Sequence, residues 1–110
     1  MAQMEELEFL PLALIKEQLR IEPDDDAEDV LLIQMSHAAV DYASQYIGRP
    51  IPWKDPSGGT VPVPTSVVQA LLLIVSDLFV NREGAMRNAE LHDNPAVARF
   101  LHFYRVGMGV

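Results

Sequence analysis

The sequence predicts an all-α fold, a compact bundle of about four helices around 11–20, 26–47, 65–82 and 94–104. Three observations carry this reading. Thr65–Val80, TSVVQALLLIVSDLFV, is a long apolar run without an internal Gly or Pro. Shorter segments before and after it repeat their apolar residues at helical spacing. Proline and glycine stand between the segments, where helices stop.

The central run organises the rest. Its apolar residues cover nearly the whole circumference of a helix, so it must be buried. Burial in lipid fits less well. A span needs about 20 predominantly apolar residues, and this run holds Gln69, Ser76 and Asp77 before Asn81, Arg82 and Glu83. Thr65 or Ser66 is expected to cap it, and Gly84 to stand near its end.

The first helix opens at Pro11, a residue suited to the first helical position. Leu12, Ile15 and Leu19 share one face, which leaves Lys16, Glu17 and Arg20 facing out. Pro23 ends it. In the second helix Asp25 and Glu28 form an Asp version of a capping box. Leu31, Met35, Ala38, Tyr42 and Tyr46 form its apolar stripe, widened by Leu32 and Ala39. Gly48 stops this helix and Pro50 prevents its return.

Residues 49–64, RPIPWKDPSGGTVPVP, form the long irregular stretch. Asp55 to Gly59 is a turn signal, and 51–53 with 60–63 read as a short, marginal hairpin. Residues 85–93 are polar, with a short helical continuation as one reading. Asn94 and Pro95 then open a last helix with Val97, Phe100, Leu101 and Tyr104 on its apolar face. One domain is expected, with flexible ends at 1–8 and 105–110.

The net charge of −8 is uneven. The first 29 residues hold ten carboxylates against Lys16 and Arg20, while the remaining 81 hold six acids and six bases. Duplex binding draws on clustered Lys and Arg, so sequence-specific DNA recognition is disfavoured. There is no cysteine, which removes disulfides, thiol catalysis and thiolate metal sites. The N-terminus lacks the basic-then-apolar pattern of a secretory signal, and synthesis into a cytoplasm is expected.

The search for site chemistry ends without a catalytic, metal or cofactor constellation. A calcium loop starting at Asp24 would need Gly at position 29 and Glu at 35, where the chain has Asp29 and Met35. His37 and Asp41 are spaced as a helix-surface pair, without a third ligand. Gly58 and Gly59 lack the Lys-Ser/Thr of a phosphate loop. Trp53, the single Trp, reads equally as a lid on the core and as an interface anchor.

Taken in order, the segments resemble a known family. LIKEQLRIE, the acidic turn DDDAEDVLL, and AAVDYASQYIGRPI come first; a Trp-bearing loop, VPTSVVQALLLIVSDLFVNREGA and AVARFLHFYRV follow. This set, over residues 9–106, is similar to the small head–tail connector proteins of tailed bacteriophages and prophages, some of them labelled DNA-packaging proteins. The resemblance implies a helical subunit, no enzyme activity and no cofactor. It implies a closed ring of about a dozen copies, seated below the portal protein once DNA is packaged. That ring would extend the DNA channel and dock the next connector or a tail-completion protein, in the virion, after assembly in the host cytoplasm. The Pro- and Gly-rich loop at 51–63 departs from the family, so no contact is carried over to it.

Under this resemblance Trp53, Ile51, Tyr104, Arg105 and Met108 are candidate contacts to a neighbouring subunit or the portal. Asp24, Asp25, Asp26, Glu28 and Asp29 are candidates for an acidic channel or surface past which DNA slides without sticking. A DNA-packaging accessory or small soluble protein-binding regulator, monomeric or dimeric, is the competing class. A helix-turn-helix DNA binder is the third.

Overall fold

The computed structural model describes residues 5–81 and 95–106. Within them the fold is all-α: α1 (Leu12–Leu19), α2 (Asp29–Ile47), α3 (Thr65–Val80) and α4 (Pro95–Leu101), the last continued by a 3₁₀ turn at His102–Tyr104. No strand is present among the described residues. The expected Gly84 stop, the 85–93 continuation and the Asn94 cap lie outside them.

Helix α3 sits at the centre and packs against α1, α2 and α4. Val67, Ala70, Leu71, Leu72, Ile74 and Val75 are buried in one core with Leu10, Ile15, Leu32, Ala39, Ala43, Ile47, Val97 and Leu101. The burial is less complete than the apolar run implies: Val68, Leu73, Leu78 and Phe79 are half-buried and Val80 is exposed. The Thr65/Ser66 cap is replaced. Pro64 precedes the first turn in extended geometry without a side-chain cap, and its carbonyl accepts from the Val68 N–H at 3.0 Å.

On α1, Lys16 does not face out. It is buried, its ammonium 2.9 Å from the Asp29 carboxylate and donating to the Pro23 carbonyl at 3.2 Å. The start of α2 closes over this face, so the aliphatic stem is packed and the charged head is satisfied internally. Arg20 caps α1 in the left-handed region at φ 62°, and the Ile21 N–H donates back to the Lys16 carbonyl at 2.8 Å.

Helix α2 starts later than the acidic run suggests. Glu28 precedes the first turn without a side-chain cap, and Asp25 instead accepts from the Ala27 N–H at 3.1 Å. The capping box is therefore replaced by a turn held by Asp25. The buried face is also rotated from the expected stripe: Leu32, Met35, Ser36, Ala39, Ala43 and Ile47 point inward, while Ala38 is exposed. A serine fits this face because its hydroxyl donates to the Ile33 carbonyl at 2.7 Å, one turn back.

Two hydrogen bonds link the described part of the N-terminal segment to the helices. The Leu12 N–H donates to the Glu6 carboxylate, and His37 Nε2 lies 2.7 Å from the Glu5 carbonyl. His37 thus meets the N-terminal segment.

Replacing Ile74, 1% exposed, by Asp puts an unpartnered charge in this core, a change that costs several kcal/mol. Ile74→Asp is expected to abolish the cooperative thermal transition followed by circular dichroism. A sharp melt at the wild-type midpoint would refute the central position of α3.

Candidate functional site

The two ends of α2 differ in chemistry. At its start Asp24, Asp25 and Asp26 are all exposed on the turn from α1. Glu28 and Asp29 are half-buried, and Asp29 is paired with Lys16. Of the five predicted acidic residues, three therefore present carboxylates openly to solvent. Among the described residues no group of His, Asp and Glu could hold a metal ion.

At the other end Gly48, with φ 78°, turns the chain out of α2; the Gly48 and Arg49 N–H groups donate to the Ser44 carbonyl at 2.9 and 3.2 Å. The stop also serves a long-range contact. The Val106 N–H donates to the Ile47 carbonyl at 2.8 Å, and a Cβ on Gly48 would lie 2.7 Å from the Val106 carbonyl oxygen. The segment after α4 thus crosses the end of α2 where only glycine leaves room.

This crossing assembles an aromatic–arginine cluster. The Arg49 guanidinium lies 3.8 Å above the Trp53 ring, and the Arg105 guanidinium 4.6 Å from the Tyr46 ring centre. Trp53 and Tyr104 are 5.8 Å apart at 37°. All five side chains are half-buried, so each is both packed on the subunit and open to a partner. Phe103 beside them is 85% exposed.

Of the predicted interface residues, Trp53, Tyr104 and Arg105 meet here. Ile51 does not present itself: its side chain is in the core, because the chain folds back over it after Gly48. Met108 lies outside the described residues. Tyr46 and Arg49 were not singled out as interface residues, since their roles depend on partners far along the chain. A signal was available in Gly48–Arg49–Pro50, a helix stop that aims the next side chain.

The loop beside the cluster closes as the short, marginal hairpin that the sequence predicts. One bridge joins Lys54 and Thr60, and the Val61 N–H donates to the Trp53 carbonyl at 2.8 Å. Asp55 holds its tip, its carboxylate accepting from the Ser57 hydroxyl (2.6 Å), the Ser57 N–H (3.0 Å) and the Gly59 N–H (2.9 Å). The Ser57 hydroxyl first, then the Gly59 N–H, holds its carboxyl below the usual aspartate range.

Comparison with known proteins identifies the family. The profile of the phage gp6-like head–tail connector proteins matches residues 10–99, from the entry to α1 into α4. The chain belongs to this head–tail connector family. It is 31% identical over 99 residues to the head completion protein gp6 of Enterobacteria phage HK97, covering 90% of this chain and 84% of the relative. No solved structure matches the chain. The protein is a structural head–tail connector of a phage virion. Among the described residues no helix is long and apolar enough to cross a membrane.

Two outcomes follow for the connector subunit. Gly48→Ala forces a Cβ onto a left-handed residue, at about 1–2 kcal/mol, and onto the Val106 backbone. The melting temperature is expected to fall by several degrees, measured by calorimetry; an unchanged midpoint would contradict the crossing. Asp55 is bonded more strongly as the carboxylate, so its extra support of the loop is present above the unfolded-state pKa and lost as pH falls through the lower folded-state value. The Ser57 and Gly59 amide resonances should titrate together, with a midpoint below that of an unperturbed aspartate, and Asp55→Asn should remove the titration.

Proposed function

We propose that this connector assembles as a closed homo-oligomeric ring of about a dozen copies, seated below the portal protein after the genome is packaged. The ring extends the DNA channel and offers its far side to the next connector or a tail-completion protein. The observation that carries this reading is the family match over residues 10–99, which takes in α1, α2, α3 and most of α4. Assembly in the host cytoplasm, before incorporation into the virion, belongs to the same reading.

The charge supports the channel role. DNA must pass through the ring without adhering, and the chain carries −8 with no dense basic patch. Its arginines at the end of α2 are held over the Trp53 and Tyr46 rings rather than arrayed along a groove. Such an arrangement suits protein contacts more than a phosphate track.

Native mass spectrometry and electron microscopy of the protein, with and without portal, test the reading. The expected result is a monomer or weak oligomer when dilute and a closed ring when concentrated or bound to portal. A species that stays monomeric at high concentration and ignores portal would instead fit a small accessory protein.

A further inference from the structure

We propose that the aromatic–arginine cluster at the end of α2 is the docking site for the acidic turn Asp24–Asp26 of a second copy of this chain. The inference rests on the homo-oligomeric reading above and names the contact that builds it.

The receiving surface is prepared. Trp53 and Tyr46 hold the Arg49 and Arg105 guanidinium groups over their ring faces before any partner arrives, which reduces the ordering cost of binding. Neither guanidinium has a carboxylate partner among the described residues, and both side chains retain solvent access. Phe103 and Val106, the chain neighbours of Tyr104 and Arg105, are exposed, which adds apolar area to this end of the subunit. A centre of aromatic and arginine side chains is the composition of an interface core.

The occupant follows from complementarity. This chain carries three consecutive exposed carboxylates on a turn that is already held by the Asp25–Ala27 bond. Planar guanidinium groups match carboxylates in geometry and charge. The acidic turn cannot reach the cluster of its own subunit, because the 19 residues of α2 separate them by roughly 28 Å. A second copy can supply it. One end then meets the unlike end of the next subunit, a head-to-tail contact that generates rings when its rotation closes. Asp24–Asp26 accordingly lie at the subunit boundary.

Charge reversal tests the contact. Two variants are compared with wild type by native mass spectrometry and sedimentation over a range of protein and salt concentrations. One carries Asp24→Lys, Asp25→Lys and Asp26→Lys on the exposed turn; the other carries Arg49→Glu and Arg105→Glu. Circular dichroism melts confirm folding, and the turn variant remains informative should the arginine variant unfold. Each variant alone is expected to shift assembly to more than about tenfold higher protein concentration, as loss of a charge pair in an interface does. Mixing the two should restore assembly, because each supplies the end that the other can accept. Wild-type assembly should weaken as salt rises.

Wild-type rings that persist unchanged in the turn variant would overturn this contact and leave the ring reading standing. Wild-type protein that never self-associates, with or without portal, would overturn both. Portal binding that requires Arg49 and Arg105, without self-association, would show an acidic segment of another protein as the occupant and overturn the proposal.

Discussion

The burial of α3 is the constraint on which the other elements depend. Its inward face carries Val67, Ala70, Leu71, Ile74 and Val75, and three helices are needed to cover it. Removing that much apolar surface from water is the main driving force available to a small chain without disulfides. The positions of α1, α2 and α4 are therefore consequences of one helix that cannot stand in solvent. The exposed Val80 marks the end of that cover.

With the core settled, two long-range ties determine the surface. Lys16 and Asp29 close the junction of α1 and α2, which leaves Asp24–Asp26 looping outward between them. Val106 pairs with Ile47 across Gly48, which brings Tyr104 and Arg105 to the end of α2. One helix consequently separates an acidic tip from a cationic, aromatic one. Both charges also agree with the dipole of α2, whose N-terminus favours anions and whose C-terminus favours cations. A connector subunit built this way has unlike ends, a property that a head-to-tail assembly requires.

Local features were legible in the sequence because their causes are local. The apolar run of α3, the stop at Gly48, the Asp55–Gly59 turn and the charge asymmetry all follow from neighbouring residues, and the ordered set of segments indicated the connector family. Contacts between distant residues were not legible. Nothing near Lys16 announces that α2 will cover it, and the serine at position 36 reads as polar until its hydroxyl is seen bonded within its own helix. The capping box at Asp25 and Glu28 was a sound local pattern, but the turn closed by Lys16 displaced the helix start to Asp29. Trp53 is the clearest case. The sequence determined that a lone tryptophan would sit on an irregular loop; only the tertiary structure decided that Arg49 and Tyr104 would pack against it. The physical reason is that this contact depends on where two chain segments cross, and that crossing is set by packing against α3 and by the space above Gly48.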